Sequence, residues 1–434
     1  MKKFILFCFF AVIFLIFTNC TLVQENAGNG DDEKEWAILL YQGADNNLDP
    51  VITSDFVEAF YSTYNKEKIH LLALLDRSEH YNISNINEYA GEWTDTKLFD
   101  LGQYIYDNRI EPSFRTPLEF EIASEELGLT KDKVEELDMG DPETLRKFVS
   151  FARNNYKSKN IALIFASHGD GWFIYDDSRF YSRHYNYGIQ ADKNLTKIRP
   201  SLNIDNTNSG GHLNLSEINQ VLSNDPVTVI GFDVCLMGGV EVVYELKDSA
   251  DYFVFSEDEE SGNGWDYLDF LKRFTKTDLS AEDFVKCAVD SFDNWYKDRI
   301  TSLPGYILAG GKTEDITYFL ENSFNDFVNN YLKFQPASQI ATARDNAKIL
   351  AGFGHSYIDL KVFINEFNNY ENQSALLNEL NNIFSSIASS DSYSEFGGIH
   401  IYFPESASTY RSNYSQLSFA NLGWYEFLTD YFNL

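Results

Sequence analysis

The sequence predicts an α/β fold in which helices pack on a largely parallel β-sheet. Short apolar segments with strand character alternate with amphipathic helical segments, which is the pattern of parallel strands joined by right-handed crossovers. Two of these strands lead to a reactive side chain: Lys159–Ser167 ends at His168, and Val227–Phe232 leads to Cys235. Because parallel strands bring their carboxyl ends to one edge of the sheet, we expect a thiol and an imidazole to meet there.

The first elements of the pattern lie in the N-terminal part of the chain. Strands are predicted at Trp36–Gln42 and Ile69–Leu75, and the second is so uniformly apolar that both of its faces should be buried. The Asp-Asn-Asn run that begins at Asp45 offers side chains that cap helices. We therefore expect a helix through about Asn65, with Asp45 as a plain cap.

The middle of the chain continues the alternation. A hairpin and loop insertion is expected at about 80–120, with a short strand at Thr94–Leu101. Asp141 is followed by proline, a pair that marks the start of a helix, and this helix should run to about Tyr156. A further helix is predicted at Leu215–Leu222.

The C-terminal part is predicted to be mainly helical. After the fourth strand, a helix should begin near Met237, and a fifth strand is predicted at Tyr252–Phe255. Residues 265–390 have helical patterns, Phe396–Phe403 resembles one more strand, and Trp424–Tyr431 should form a closing helix. The sequence thus predicts a parallel sheet followed by additional C-terminal helices.

The N-terminus has the composition of an export signal. Lys2 and Lys3 precede an apolar run from Phe4 to Phe17, and Cys20 follows. This arrangement is similar to a bacterial lipobox, in which the cysteine is lipidated and becomes the first residue. An ordinary signal cleaved nearby and an uncleaved anchor are the alternatives.

After the leader, the chain is predicted to consist of a tether, a catalytic core and a C-terminal part. The polar segment 21–35 is expected to be a flexible tether, followed by a catalytic core at about 36–270 and a mainly helical part at about 271–434. Cys287 lies among apolar residues at helical spacing and should be a core residue. An exported chain with so few cysteines depends on its core rather than on disulfides.

The charge balance restricts the partners. The chain has 66 acidic and 34 basic residues, for a net charge of −32. Such a charge argues against nucleic acid as a partner and favours cationic ligands, although most of these carboxylates should simply be solvated.

Cys235 and His168 are the candidate catalytic pair. A thiol becomes a strong nucleophile when a base and helix amides favour the thiolate, and we expect both here. A buried inert cysteine is the alternative for Cys235, and a structural or metal-binding role is the alternative for His168. The backbone N–H groups of Gly169 and Cys235 are candidates for stabilising an oxyanion.

Asp233 lies two residues before Cys235 and should therefore point to the same side of the strand. Its carboxylate could line a pocket beside the nucleophile and pair with a basic side chain. The alternative is a strand-end aspartate that caps the next helix.

Several motifs together resemble the clostripain-like cysteine peptidases, which are relatives of caspases, gingipains and legumain. The matching segments are Trp36–Asp49, Leu137–Leu145, Ala162–Trp172, Val229–Leu246, Ser256–Tyr267, Ile399–Ser406 and Phe419–Phe432. The most specific of them are Ser-His-Gly-x-Gly-Trp and Asp-x-Cys-Leu-Met, in this order and each after an apolar strand.

The resemblance implies a caspase-like α/β/α sandwich and a Cys235–His168 dyad without an obligatory third member. It associates Asp233 with the choice of Arg or Lys before the cleaved bond. Some relatives use calcium, and the acidic stretch at 257–260 is a candidate for binding Ca²⁺, but no EF-hand loop is present. No cofactor is otherwise expected.

Residues 173–213 form a long polar segment between the two catalytic strands. Some relatives are cut in this region into two chains that stay together, so Lys193, Lys197 and Arg199 are candidate self-processing sites. The alternative is a substrate-contacting loop that is never cut.

The sequence therefore predicts an exported cell-envelope lipoprotein that hydrolyses peptide bonds after Arg or Lys. A catalytically silent surface lipoprotein that uses the fold for binding is the alternative. A metallohydrolase is disfavoured because the sequence has no His, Asp or Glu cluster with ligand spacing.

Overall fold

The computed structural model describes residues 30–81, 84–103, 116–131, 133–172, 202–205, 211–275, 279–299, 304–347, 349 and 356–434. The predicted leader with Cys20 and the candidate processing residues Lys193, Lys197 and Arg199 lie outside these ranges. No helix within the described ranges combines the length and the apolar character that crossing a membrane requires.

Thirteen strands are present in the described ranges. In chain order they are β1 Gly30–Ala44, β2 Ile69–Arg77, β3 Thr96–Asp100, β4 Glu121–Ile122, β5 Tyr156–Ala166, β6 Leu202–Asp205, β7 Gly211–Leu213, β8 Val227–Asp233, β9 Ala250–Ser256, β10 Ile307–Lys312, β11 Tyr357–Asp359, β12 Ser386–Ser389 and β13 His400–Tyr402. Nine of them form one sheet in the order β12-β10-β9-β8-β5-β1-β2-β3-β4. The five central strands from β9 to β2 are parallel, and the outer strands on both sides are antiparallel.

The α-helices connect and cover these strands. In the described ranges they are α1 Asp49–Tyr61, α2 Ser84–Ala90, α3 Pro142–Asn155, α4 Leu215–Leu222, α5 Val240–Glu245, α6 Tyr267–Lys272, α7 Ala281–Tyr296, α8 Thr313–Phe319, α9 Asn325–Asn330, α10 Ala337–Asn346, α11 Leu360–Asn365, α12 Gln373–Asn382 and α13 Gly423–Phe432. One π-helical turn, Leu320–Phe324, joins α8 to α9.

The core is split by the sheet into two halves. Alternate residues of β1 point to opposite faces, so that Leu39 and Tyr41 belong to one apolar cluster and Ile38 and Leu40 to the other. Helix α3 packs into the first cluster, whereas α1 and α7 pack into the second. This two-sided burial is the sandwich that the sequence predicts, and it explains why β2 is buried along its whole length.

Several predicted boundaries are confirmed. Helix α4 has the predicted bounds, and α3 begins where Asp141 was expected to cap it, with the side chain accepting a hydrogen bond from the Glu143 amide at 2.8 Å. Cys287 lies on α7, half-buried, and packs against the apolar cluster on that side.

Three predicted boundaries are wrong. Asp45 does not cap α1, because the helix begins at Asp49 and the Asn46 side chain instead accepts from the Leu48 amide. The helix expected near Met237 begins only at Val240. Strand β1 begins at Gly30, so the last part of the predicted tether belongs to the sheet.

The C-terminal part contributes more to the sheet than its helical patterns indicate. Strand β10 pairs with β9, and β12 pairs with β10, so both extend the main sheet beyond the predicted catalytic core. Strands β11 and β13 form a separate pair close to the active-site end, where His400 bridges to Gly239. Strand β13 lies within the strand predicted at Phe396–Phe403. Strands β10, β11 and β12 were missed because three to six residues carry too little periodicity to be told from neighbouring helices.

Candidate active site

The two candidate catalytic residues follow neighbouring strands in matching register. The last paired residues of β5 and β8 are Ala166 and Asp233. His168 and Cys235 each lie two residues beyond that pair, and both side chains are half-buried. The parallel sheet therefore places the imidazole and the thiol at adjoining positions of the same edge.

A glycine allows the two loops to approach each other closely. A Cβ atom on Gly169 would lie 2.4 Å from the carbonyl oxygen of Cys235, which is a severe clash with backbone. Glycine is the residue that avoids this clash, and the close approach of the two strand ends depends on it here. The residue after His168 is thus glycine for a packing reason.

Asn47 also contacts His168. Its Oδ1 atom lies 2.9 Å from Nε2 of His168. An amide oxygen accepts hydrogen bonds, so this contact favours the tautomer of His168 that carries its proton on Nε2, in which Nδ1 is the basic nitrogen. Asn47 follows β1. The strand order reverses between the neighbouring strands β1 and β5, and open α/β sheets form their crevices at such a point.

Sequence reasoning missed this contact because the Asp-Asn-Asn run was interpreted as a helix cap. The available signal was its position directly after a predicted parallel strand, which brings it to the same sheet edge as His168. Asn46 has a role there too, since its amide donates to Gly43 and to the Ser167 hydroxyl and so ties the two strand ends together.

The thiol of Cys235 sits in a tight turn. Leu236, the next residue, has a φ angle of 62°, which is uncommon for a residue with a branched side chain. The Leu236 amide donates to the Asp258 carbonyl, and the Glu260 amide donates to Cys235 Sγ at 3.2 Å. The segment after β9 therefore holds Cys235 in place from one side.

The electrostatic environment disfavours a resting thiolate. Burial raises the pKa of Cys235 well above its usual range; the hydrogen bond from the Glu260 amide opposes this, and the charges of Glu260, Glu259 and Asp258 add to it. The expected help from helix amides is absent, because α5 begins five residues later and has only six residues. Helix amides therefore do not favour a thiolate at Cys235.

Asp233 is buried beside the nucleophile. One carboxylate oxygen accepts from the Trp265 amide at 3.1 Å and the other from the Tyr267 hydroxyl at 2.9 Å. Burial raises the pKa of Asp233 to about 7 despite these two bonds. The alternative interpretation, a cap for the following helix, is wrong, because α5 has Gly239 at its cap and no side-chain bond there.

The acidic stretch after β9 is largely engaged with the C-terminal part. Glu257 accepts from the Gly398 amide at 2.9 Å, and Asp258 accepts from the Tyr393 hydroxyl at 2.7 Å. In the described ranges, the group of three acidic side chains whose oxygens all lie within 4.8 Å of one another, close enough to hold a metal ion, is Asp45, Asp76 and Glu136, at the ends of β1 and β2 and on a nearby loop.

A thiol and an imidazole at the ends of neighbouring parallel strands, on a sandwich of this order, are typical of caspase-like cysteine peptidases. The chain belongs to the clostripain family, the C11 peptidases, whose family model matches residues 40–431. It is 30% identical over 245 residues to clostripain from Hathewaya histolytica, in an alignment that covers 55% of this chain and 42% of clostripain. The chain thus spans less than half the length of that relative.

Two solved structures have the same fold. One is a secreted C11 cysteine protease from Bacteroides thetaiotaomicron in complex with an irreversible peptide inhibitor, with a TM-score of 0.61, 17% identity, and coverage of 90% of this chain and 99% of that one. The other is an inactive zymogen C11 protease from Parabacteroides distasonis, with a TM-score of 0.62, 16% identity, and coverage of 90% and 98%. The predicted caspase-like sandwich is confirmed.

Proposed function

We propose that the protein is a cysteine endopeptidase that cleaves after Arg or Lys, with Cys235 as nucleophile and His168 as general base and acid. The observation that carries the proposal is the matching register of the two residues, each two positions past the paired ends of β5 and β8. Membership of the clostripain family supports the same chemistry.

The proposed reaction uses His168 to accept the proton of the thiol. Nδ1 of His168 takes the thiol proton while Asn47 holds Nε2, and the sulfur of Cys235 attacks the carbonyl carbon of the peptide bond. The C–S bond forms as the carbonyl electrons move to oxygen, where the amides of Gly169 and Cys235 are the proposed donors. The imidazolium then protonates the amine as the C–N bond breaks. Water, deprotonated by His168, hydrolyses the thioester.

Asp233 is the proposed selector of the basic side chain. It is buried, lies on the strand that leads to Cys235, and bears a carboxylate fixed by two hydrogen bonds. Truncating one partner of a buried charge pair costs roughly 2–5 kcal/mol. Asp233→Asn should therefore lower kcat/KM for Arg and Lys peptides about 30-fold or more, and affect citrulline peptides far less.

The test is cleavage of a positional peptide library by the purified protein, with Cys235→Ala as the inactive control. An arginyl chloromethyl ketone should label Cys235 covalently, which a silent binding protein would not permit. Equal cleavage after neutral and basic residues would contradict the proposed specificity, and unimpaired cleavage by Cys235→Ala would contradict the mechanism.

Self-processing is proposed within 173–213, at Lys193, Lys197 or Arg199, although proline follows Arg199. The likeness to a protein described as an inactive zymogen supports an activation step. Strands β5 and β8 pair in one sheet on either side of this segment, so the two fragments should stay together after a cut. Wild-type protein should give two fragments on a denaturing gel and Cys235→Ala one band. If active wild-type protein remains a single chain, self-processing is refuted and the proposed catalytic pair is not affected.

Export and lipidation of Cys20 are proposed from the leader, which would anchor the enzyme to a membrane of the bacterial cell envelope. Metabolic labelling with a radioactive fatty acid should mark wild-type protein but not Cys20→Ser. No cofactor is proposed to be required. Activity measured with EDTA and with added Ca²⁺ tests whether calcium contributes.

A further inference from the structure

The strand pair β11–β13 packs against the two loops that carry His168 and Cys235. Strand β13 lies within the C-terminal motif of the sequence, and it supplies no group to the proposed chemistry. The ring of Tyr357 on β11 and the ring of His400 on β13 contact each other, with centroids 4.1 Å apart. Both residues are at most 1% exposed. The two rings therefore form one buried unit that can hold other parts of the chain.

Tyr357 holds the loop that follows His168. Its hydroxyl donates a hydrogen bond to the Asp170 carbonyl at 3.0 Å, and this bond is buried. The next residue, Gly171, has a φ angle of 68° and passes so close that a Cβ atom there would lie 2.4 Å from the hydroxyl oxygen. The tyrosine thus contacts the backbone two and three residues beyond the imidazole.

His400 holds the loop that carries Cys235. Its backbone amide donates to the Gly238 carbonyl at 2.8 Å, and a Cβ atom on Gly239 would lie 2.5 Å from Nε2 of the ring. Nδ1 of His400 lies 2.7 Å from the carbonyl oxygen of Glu257, in the segment that also binds the turn after Cys235. Burial lowers the pKa of His400 to about 4, so the ring is neutral near pH 7 and acts through its shape and its hydrogen bond.

The main sheet does not fix these two loops by itself. The pairing of β5 with β8 ends two residues before His168 and Cys235. Beyond the last pair the loops meet backbone to backbone, since a Cβ atom on Gly171 would lie 3.0 Å from the Leu236 carbonyl oxygen. Contacts from outside the sheet are therefore needed to set the distance between the imidazole and the thiol. That distance matters because a displacement of about 1 Å at a reacting group can cost a factor of about 100 in rate.

We propose that Tyr357 and His400 form a clamp that sets the separation of His168 and Cys235, which makes the C-terminal part a component of the catalytic centre. Through Tyr357 the clamp holds the loop of His168, and through His400 it holds the loop of Cys235. The contact between the two rings joins these attachments. The inference rests on the proposed function and adds two positioning residues to it, neither of which touches the substrate or transfers a proton.

Tyr357→Phe tests the clamp because it removes the hydroxyl and keeps the ring. Loss of one buried hydrogen bond should lower kcat for an arginyl peptide about 3- to 10-fold, whereas KM should stay within about twofold. Tyr41→Phe is the matched control, since Tyr41 is also fully buried and donates to a backbone carbonyl, that of Met139, at 2.9 Å. Both variants should lower the urea midpoint of unfolding by similar amounts, and only Tyr357→Phe should lower kcat.

The reactivity of the thiol shows whether Tyr357 acts through His168. Alkylation of Cys235 by iodoacetamide near pH 7 is followed by mass spectrometry of the peptide that contains it, which separates it from Cys287. His168→Ala and Tyr357→Phe should each slow the alkylation, because the thiol loses a well-placed base. Combined with His168→Ala, Tyr357→Phe should slow it by no more than a further factor of about two, since both changes disable the same step.

Gly239→Ala tests the His400 half of the clamp. Gly239 has a φ angle of −109° and a ψ angle of 144°, which residues with side chains adopt freely, so the added methyl group acts through its clash with the His400 ring. Gly239→Ala should lower kcat at least about threefold. In a His400→Ala background, which makes room for the methyl group, it should cause no further loss beyond about twofold.

Equal kcat values for Tyr357→Phe and Tyr41→Phe would overturn the inference. It would also be overturned if Tyr357→Phe slowed alkylation as much without His168 as with it, or if the effect of Gly239→Ala persisted in full without the His400 ring. If His168→Ala slows neither peptide hydrolysis nor alkylation, the proposed catalytic pair fails first. If His168→Ala slows both and the clamp variants have no effect, the inference alone fails.

Discussion

Replacement of Asn47 by alanine tests whether the orientation of His168 depends on its neighbour. The side chain accepts a hydrogen bond from Nε2 of His168 at 2.9 Å in a half-buried site. During acylation the imidazole becomes positively charged, and a hydrogen bond to a charged group is worth about 1.5–3 kcal/mol. Asn47→Ala should therefore lower kcat about 10- to 150-fold, because each 1.36 kcal/mol corresponds to a factor of ten. KM should change little, since Asn47 contacts the imidazole of His168 and is not one of the proposed substrate-binding groups.

The assay is steady-state hydrolysis of an arginyl peptide, combined with urea unfolding. The free energy of unfolding should fall by about 1 kcal/mol or less, as expected for one neutral hydrogen bond. Asn47→Asp keeps an acceptor and should recover most of the lost kcat, and Asn154→Ala, on the exposed end of α3, serves as the control. A kcat for Asn47→Ala within about twofold of wild type would show that His168 is held by other contacts.

Three further predictions address the dyad, the buried ion pair and pH. Because Cys235 and His168 are proposed to act as a unit, the double alanine variant should be scarcely less active than either single one in the same peptide assay; a further large loss would mean that they act separately. Arg77 and Asp49 form an ion pair at 2.9 Å in which both side chains are fully buried, so Arg77→Ala should lower the free energy of unfolding by roughly 3–5 kcal/mol in urea. The partly exposed pair of Arg153 and Asp225 should be worth under about 1 kcal/mol. Burial raises the pKa of Glu241 to about 7, so its protonated form stabilises the fold at low pH, and this stabilisation is lost as the pH rises from about 4.5 towards 7. Relative to wild type, Glu241→Gln should gain up to about 3 kcal/mol of stability between pH 5 and pH 8, and a constant difference would mean that Glu241 is ionised throughout.

The sequence predicts the central sheet well because its strands are buried on both faces. The apolar runs Leu71–Leu75 of β2 and Ile161–Ala166 of β5 follow directly from that burial, and the strand ends then place His168 and Cys235 on one edge. These predictions use only residues near one another in the chain. They succeed because the pairing of parallel strands is regular, so a position relative to the strand end is enough to locate a side chain.

Contacts between distant segments were not predictable in this way. Asp55 lies near Asp233, since a Cβ atom on Gly264 would contact carboxylate oxygens of both, although Asp55 precedes Cys235 by 180 residues. Nothing in the pattern of α1 distinguishes Asp55 from a solvated acidic residue. The bond between Asn47 and His168 joins residues 121 positions apart. The strained turn at Leu236 replaced a predicted helix start because the segment after β9 takes up its backbone hydrogen bonds.

The pairing of β10 with β9 affects how the protein folds during synthesis and whether its catalytic half can be expressed by itself. Without residues after about 270, β9 would become an open edge, with unpaired backbone groups that readily pair with another chain. Glu257 and Asp258 would also lose the donors that come from Gly398 and Tyr393. The catalytic half expressed by itself should therefore aggregate rather than fold. During synthesis, the edge of the sheet stays exposed until β12, which ends at residue 389, has left the ribosome. We therefore expect the nascent chain to need chaperones that prevent aggregation through this edge.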